Sequence, residues 1–356
     1  MPSGSLDSGS ADTRRSGGGM TRRPTMRDVA AAAGVSHALV SLVYRTPEKV
    51  SEKRRQLVLD AAERLGFRPN WVASSLSGLK SYGSSFFGIL VANLHNPVFA
   101  TIVDAARAEL GDSGSYGLMS SAVLPGPDGT TVTDERIVHA FEDLNVAGLL
   151  VVGVVPDLDV VRRVRPDLRI VVAAASIAEL PRATSVRSDN DHGLRLLVEH
   201  LVAQGHSRIA HLGGAGGPAS VSRAAGYERA MRELGLAEHI HVEPAGFTEE
   251  SGQDAAARLI AERPDITAYT CVNDLVALGA MSAATAANRS VPGELAIAGY
   301  DNTYLAGIDR IDLTSVDTAG EEIGRTAARW LLADPAPEPG TETLIRPRLV
   351  VRGTTG

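Results

Sequence analysis

From Ser84 onward, short apolar runs alternate with amphipathic stretches at helical spacing, and that alternation restricts the fold to layered α/β architectures. F-F-G-I-L-V-A precedes V-F-A-T-I-V-D-A-A-R-A-E-L, and R-I-V-V-A-A precedes L-R-L-L-V-E-H-L-V. R-I-A-H-L-G precedes A-G-Y-E-R-A-M-R-E-L-G, and A-Y-T-C-V precedes L-V-A-L-G-A-M-S-A-A, with L-A-I-A-G-Y after them. A strand that is apolar at every position must be covered on both faces, which means parallel sheets with helices on either side. The runs are too many for one small sheet. A chain of 356 residues with 44% hydrophobic content has the material for two or three domains with real cores. No uninterrupted apolar stretch nears the length that crosses a bilayer. The first twenty residues lack an apolar signal region, so a secreted solute-binding protein is not expected. The single cysteine, Cys271, cannot form an internal disulfide and suits a reducing cytoplasm; its plain reading is a buried strand residue.

The segment before this body follows different rules. Thr25 can cap a helix, and Asp28 three residues later completes a capping box, with Val29, Ala30 and Ala33 on one face. Gly34 breaks the helix, because glycine reaches positive φ without a Cβ clash. Ser36 opens a second helix whose inner face is expected to carry Leu39, Val40 and Val43, giving a helix-turn-helix. Ser51 caps a third helix, with Leu57, Val58, Ala61 and Leu65 expected to face back onto the other two, and Gly66 stops it. Pro69 and Asn70 reset the chain, and Trp71 to Ser77 can form one more helix too short to be stable alone. Residues 1–24 read as a disordered leader, and Met20, directly before T-R-R-P, is an alternative start.

Charge separates the same two regions. Eight arginines and three lysines against five acidic residues give residues 21–80 a net charge of +6. With residues 1–20 neutral, the whole-chain charge of −7 leaves −13 for the remainder. A basic head on an acidic body is the electrostatic footprint of a nucleic-acid-binding module joined to a domain with another task.

M-R-D-V-A-A-A-A-G-V-S, T-P-E-K-V-S-E-K-R-R and L-G-F-R-P-N-W-V-A-S-S-L, taken in order and at this spacing, closely resemble the DNA-binding head of the LacI/GalR family of bacterial transcription regulators. The order of strands and helices in the body, and the ending L-I-R-P-R-L-V-V-R-G-T-T, are similar to that family too, so the resemblance runs from about 25 to 355. It implies an all-α helix-turn-helix head over 25–68, a hinge helix and linker over 69–83, and a two-subdomain periplasmic-binding-protein-like body over 84–356. The first subdomain is expected over about 84–185 and 312–345 and the second over 186–311, with the chain returning to the first through S-V-D at 315–317.

The resemblance also implies roles. His37, Ala38 and Leu42 are expected to read base edges, with Thr25, Ser36, Ser41 and Tyr44 near the DNA backbone. Leu39 stands where a phosphate-touching threonine is common in the family, and Leu42 where a polar side chain is frequent, so direct readout looks lean. A plainly exposed helix start is the alternative for His37. Asn70, Ala73, Ser75 and Leu76 belong to the hinge, which in the family orders on DNA and pairs with its twofold mate; Leu76 is then the wedge that unstacks a base step. The alternative is a linker helix with Leu76 buried. Ser74 replaces the family's arginine beside the serine–leucine pair.

In the body, ligands of doubly wound sheets sit beyond the carboxyl ends of the strands. Phe99, Arg223, Phe247, Asn273 and Asp301 all fall there. By resemblance Arg223 and Asp301 hold effector hydroxyls or a carboxylate, and Phe99 and Phe247 cover apolar faces. Asp274 is expected to cap the following helix; Asp189 and Asn190 are read either as caps or as site residues, and Phe247 is alternatively core. Ala173, Ala174 and Ala175 stand where family members often place an aspartate and an aromatic, so the cleft loses a polar arm. The expected protein is therefore a homodimeric repressor that binds a near-palindromic operator and answers to a carbohydrate-like effector, with no cofactor or metal.

One signal points elsewhere. Gly214, Gly216 and Ala219 fit G-x-G-x-x-A between a strand and a helix, the dinucleotide fingerprint of an NAD-linked enzyme. Pro218 removes a backbone N–H from that loop, and no clear acidic residue ends the next strand. No Ser/His/Asp, Cys/His or metal-ligand cluster accompanies it; His200, His206 and His211 are scattered.

Overall fold

A computed structural model describes residues 24–67, 86–121, 123–125, 131–157, 159–177 and 183–356. The chain divides into two compact units, Met1–Tyr82 and Gly83–Gly356.

The first unit contains α1 (Met26–Ala33), α2 (His37–Arg45) and α3 (Glu52–Leu65). The capping box forms as read: the Asp28 amide donates to Thr25 Oγ1, and the Thr25 amide donates to Asp28 Oδ2 at 2.7 Å. Gly34 ends α1 at φ 64, donating to the Ala30 and Ala31 carbonyls, and α2 leaves at 109° to α1. Val29, Ala30, Ala33, Val40, Val43, Val58, Ala61 and Ala62 form the core. The inner faces are rotated slightly from expectation. Leu39 is only partly buried, and Leu57 and Leu65 are 46% and 37% exposed. On α3 the buried positions are 58, 61 and 62, one helical ridge along from Leu57. At its end the chain reverses at Gly66 and Phe67 folds back, its amide donating to the Ala62 carbonyl.

The second unit is built on two six-stranded sheets. Sheet I has the order β13-β7-β6-β5-β1-β2, from β1 (Phe86–Val91), β2 (Tyr116–Ser121), β5 (Gly148–Val152), β6 (Ile170–Ala173), β7 (Thr184–Ser188) and β13 (Glu342–Ile345). Sheet II has the order β14-β12-β11-β10-β8-β9, from β8 (Ile209–Gly214), β9 (Val242–Ala245), β10 (Ala268–Cys271), β11 (Ala296–Asp301), β12 (Thr314–Asp317) and β14 (Arg348–Val350). Every pairing in them is parallel except β14 against β12. A small antiparallel hairpin, β3 (Val123–Pro125) with β4 (Thr131–Thr133), follows β2.

Helices cover both faces of each sheet. On sheet I, α4 (Pro97–Asp112) and α11 (Gly320–Leu332) bury Ile102, Leu110, Ile323 and Leu331 against Phe87, Ile89 and Val91. The opposite face takes α5 (Glu135–Asp143) and α6 (Asp159–Val164) over Leu90, Leu149 and Val151. On sheet II, α7 (Asn190–Ala203) and α8 (Pro218–Glu233) cover Ile209, Ala298 and Tyr300. On its other face α9 (Glu249–Glu262) and α10 (Asp274–Ala286) cover Leu212, Tyr269 and Cys271, the last a buried strand residue. α9 and α10 touch so closely that a Cβ on Gly279 would stand 2.0 Å from the Glu249 carbonyl oxygen; only glycine fits there.

The chain passes between the sheets three times: between β7 and α7, between β12 and α11, and between β13 and β14. S-V-D at 315–317, expected to return the chain to the first sheet, therefore does not do so. It completes β12 in sheet II, paired in parallel with β11, because Leu313 and Val316 fill the two cores of that sheet. The crossing follows at Thr318 and Ala319, and the tail after Ile345 goes back to sheet II.

Candidate effector cleft and nucleic-acid interface

In the head, Ser36, His37, Ala38 and Leu42 are exposed along the start of α2, with Ser41 half-buried beside them. The Ser36 hydroxyl accepts from the Leu39 amide as the helix cap. The Thr25 hydroxyl donates to Asp28 at 2.7 Å and fixes the amino end of α1. Tyr44 is half-buried with its ring 6.1 Å from that of Phe67, and burial raises its phenol above the ordinary range. Asn70, Ala73, Ser75 and Leu76 lie outside the described residues.

In the body, Arg223 projects from α8 to the carboxyl ends of sheet II. Its Nη2 donates to Asp301 Oδ1 at 2.9 Å, its Nη1 to the Val272 carbonyl, and its Nε to Asn190 Oδ1 at 3.4 Å. The guanidinium lies 4.0 Å above the Tyr300 ring centroid, and the Tyr300 hydroxyl donates to the same Asn190 oxygen. The side chains of the ion pair are 11% and 3% exposed. Burial lifts the Asp301 carboxyl above the usual carboxylate range while Arg223 pulls it back. Asp301 and Asn302 have left-handed backbones, φ 99 and 46, which non-glycine residues adopt only where the surroundings impose it.

The capping role expected of Asp274 falls to Asn273. Asn273 is the N-cap of α10, accepting from the Val276 amide at 2.9 Å, while its Nδ2 donates to the Phe247 carbonyl at 3.1 Å. Both ends of the amide are thus committed to the protein and the residue is 1% exposed, so it shapes the site without facing it. Asp274, one residue into the helix, is buried and accepts from Thr303 N at 2.6 Å, Thr303 Oγ1 at 2.8 Å and Ser315 Oγ at 2.6 Å. Burial and the neighbouring Asp301 push its carboxyl up to about 7. Asp189 caps α7, accepting from the His192 amide, whereas Asn190 joins Arg223 and Tyr300.

Through these bonds the fold brings together Phe247, Asn273, Arg223 and Asp301. Phe99 belongs to the sheet I side, packed where a Cβ on Gly153 would come within 2.7 Å of its ring. Phe247 packs partly on the sheet II core and partly on Gly216. Ala173 and Ala175 are buried and Ala174 turns the chain at φ 61, leaving no polar arm at the end of β6. A cavity of about 500 Å³ lies at the crossings, lined among others by Asp301, Asn302, Asp317, Glu321, Arg346 and Arg348. Tyr300 carries no sequence signal for this cluster; Asn190, read either as a cap or as a site residue, takes the second role. The one available signal was the D-N-D at the first crossing, which capping accounted for equally well.

The glycine loop after β8 has Gly214, Gly216 and Gly217 at φ 80, 86 and 132, with Pro218 opening α8. The Gly214 amide donates to Ser220 Oγ at 2.8 Å, and Glu243 on the next strand is paired with Arg258 at 2.8 Å. Gly216 has a structural reason to be glycine, since Phe247 packs 3.3 Å from where its Cβ would be. Of the scattered histidines, His211 is fully buried, stacked on Tyr227, and held neutral by burial with its pKa lowered to about 3. Among the described residues no group of three His, Cys, Asp or Glu side chains is placed to hold a metal.

Residues 25–70 match the family described as bacterial regulatory proteins, lacI family, and residues 198–355 match the periplasmic binding protein-like domain. The HTH-type transcriptional regulator MalR of Streptomyces coelicolor is 31% identical over 350 residues, covering 94% of this chain and 97% of its own. The chain belongs to the LacI family. The HTH-type transcriptional regulator reg1 of Streptomyces lividans is 32% identical, with 94% and 97% covered. Among LacI-family structures, a Lac repressor dimer bound to operator and the anti-inducer ONPF is 28% identical, with a TM-score of 0.77 over 94% of this chain and 99% of that one. A complex of the regulator CelR with cellobiose is 26% identical, with a TM-score of 0.65 over 93% and 100%. This LacI-family chain is accordingly a DNA-binding transcription regulator of the helix-turn-helix type with an effector-binding body. Among the described residues, no single helix is long and apolar enough to cross a membrane.

Proposed function

We propose that this regulator is a cytoplasmic, homodimeric repressor that binds a near-palindromic operator and is controlled by a neutral, polyhydroxylated, carbohydrate-like effector held between sheets I and II. The observation that carries the effector class is the Arg223–Asp301 pair. A guanidinium already matched by a carboxylate offers donors and acceptors side by side with no excess charge. That suits vicinal hydroxyls better than an anionic ligand, which would meet Asp301 as well as Arg223. Phe99 and Phe247 supply apolar faces for ring carbons, and the alanines at 173–175 leave that wall without hydrogen bonds. The similarity to a cellobiose-bound regulator and to an operator-bound Lac repressor supports the same reading.

On the DNA side, Ser36, His37, Ala38, Ser41 and Leu42 form the reading surface at the amino end of α2, where the helix dipole also favours phosphate. His37 supplies the polar contact to a base edge, Ala38 and Leu42 apolar contact, and Tyr44 and the hinge residues Asn70, Ala73, Ser75 and Leu76 complete the interface. The effector acts by binding one degree of sheet closure more tightly than the other, since a ligand with equal affinity for both states shifts nothing.

Footprinting of the full chain on its own upstream region, followed by release assays with a panel of sugars, tests the reading. Protection of a two-half-site sequence relieved by one sugar class is expected. No preference for any duplex over random competitor, with and without the panel, overturns it.

A further inference from the structure

Asp301 and Asn302 are two consecutive left-handed residues at the cleft, and their supports come from far along the chain. The Asn302 amide donates to Ser315 Oγ at 3.0 Å and the Thr303 amide to Asp274 Oδ2 at 2.6 Å. The Asn302 side chain is held at both ends: its Nδ2 donates to Asp317 Oδ2 at 3.5 Å, and its Oδ1 accepts at 2.8 Å from Nη2 of Arg352, fifty positions away, whose Nη1 donates to the Leu313 carbonyl at 2.6 Å.

Arg352 is itself fixed by the carboxyl-terminal turn. Its amide donates to Thr314 Oγ1 at 2.8 Å, and its carbonyl accepts from that same hydroxyl at 2.9 Å. Thr354 and Thr355 are buried, the first accepting from the Thr314 amide, the second within 2.8 Å of both Thr314 Oγ1 and His200 Nε2. Gly353 donates to Asp312 Oδ2 at 3.0 Å. So many bonds on four residues make a rigid mount, and a planar guanidinium can span two carbonyl oxygens at fixed separation where a single ammonium cannot.

We propose that Arg352 is a positioning residue for effector recognition: anchored by the buried carboxyl-terminal turn, it clamps Asn302 and so holds the Asp301 carboxylate in the orientation that pairs with Arg223 and faces the cleft. It touches Asn302, not the effector. The proposal rests on the effector reading above only for its functional consequence; the positioning is a property of the free protein.

The test uses full-length protein with Arg352→Met, which keeps the stem and loses the fork, Arg352→Lys, and Asn302→Ala, which removes the clamp from the other side should the first variant misfold. Amide hydrogen exchange without ligand is expected to accelerate at Asn302 and Thr303 by about tenfold or more in Arg352→Met and Asn302→Ala, with sheet I amides unchanged. Unchanged exchange at these two amides overturns the positioning role. In the binding arm, titration with ribose, galactose, maltose and cellobiose is expected to show the sugar that wild type takes bound about tenfold more weakly by Arg352→Met, with Arg352→Lys intermediate and sugar-free operator affinity intact. The loss in the Arg352→Met/Asn302→Ala double variant should not exceed that of either single change. Additive losses, or a Lys variant as weak as Met, overturn the clamp. Wild type binding none of the four removes the carbohydrate reading instead, and the exchange measurement still decides Arg352.

Discussion

Asp274 is a carboxyl that accepts three hydrogen bonds and is still pushed up to about 7 by burial and by Asp301. In the unfolded chain it titrates near the ordinary aspartate value, so between about pH 4 and 7 folding takes up a proton and stability from this group falls as pH rises. Thermal unfolding of wild type is expected to lose several degrees between about pH 5 and pH 8 that Asp274→Asn does not lose; parallel profiles contradict the assignment. Arg223→Ala leaves the Asp301 carboxylate buried without its cation, at a cost of about 3 kcal/mol that shrinks in acid as Asp301 takes a proton. The same variant is expected to keep operator binding and lose effector response; retained response removes Arg223 from the site. Arg223 and Asp301 could be placed near strand ends from the sequence, Asp301 closing β11 and Arg223 lying in the helix after β8. Tyr300, Arg352 and the passing of the cap from Asp274 to Asn273 were not legible, because a side chain's partner dozens of positions away leaves no local pattern.

The elements read well wherever their signals are local. The capping box of Thr25 and Asp28, the stop at Gly34 and the cap at Ser36 need only neighbours within one turn, and all three form. Thr25→Ala is expected to cost the head about 1 kcal/mol in chemical denaturation. On α3, Val58 and Ala61 face inward as expected, but Ala62 completes the face in place of Leu57 and Leu65, since apolar residues on adjoining ridges are alike in sequence and only packing chooses among them. β12 was assigned to the wrong sheet for a related reason: a parallel strand carries no mark of which neighbour it will join. Gly279 is a packing residue that periodicity does not reveal. Gly279→Ala forces α9 and α10 apart and is expected to lower stability by about 2 kcal/mol or more, read by urea unfolding.

At the scale of the whole molecule, charge and topology divide the work. The +6 of residues 21–80 makes affinity for any duplex fall steeply with salt, while on the proposed reading base contacts and the hinge supply preference. An effective sugar is therefore expected to lower affinity for the operator while leaving affinity for random duplex, and its salt slope, nearly unchanged. Equal loss on both contradicts control through the cleft.

The first and third passages between sheets I and II meet where the Asp189 amide donates to the Ile345 carbonyl, and the second and third where Asp317 stands opposite Arg348, the second then turning at Ala319 with φ 59. Three covalent tethers in a row act as a flexure: they allow rotation about the line that joins them and resist sliding or twisting. A molecule lodged between the sheets thus has a single coordinate to act on, and its chemical preference is converted into an angle.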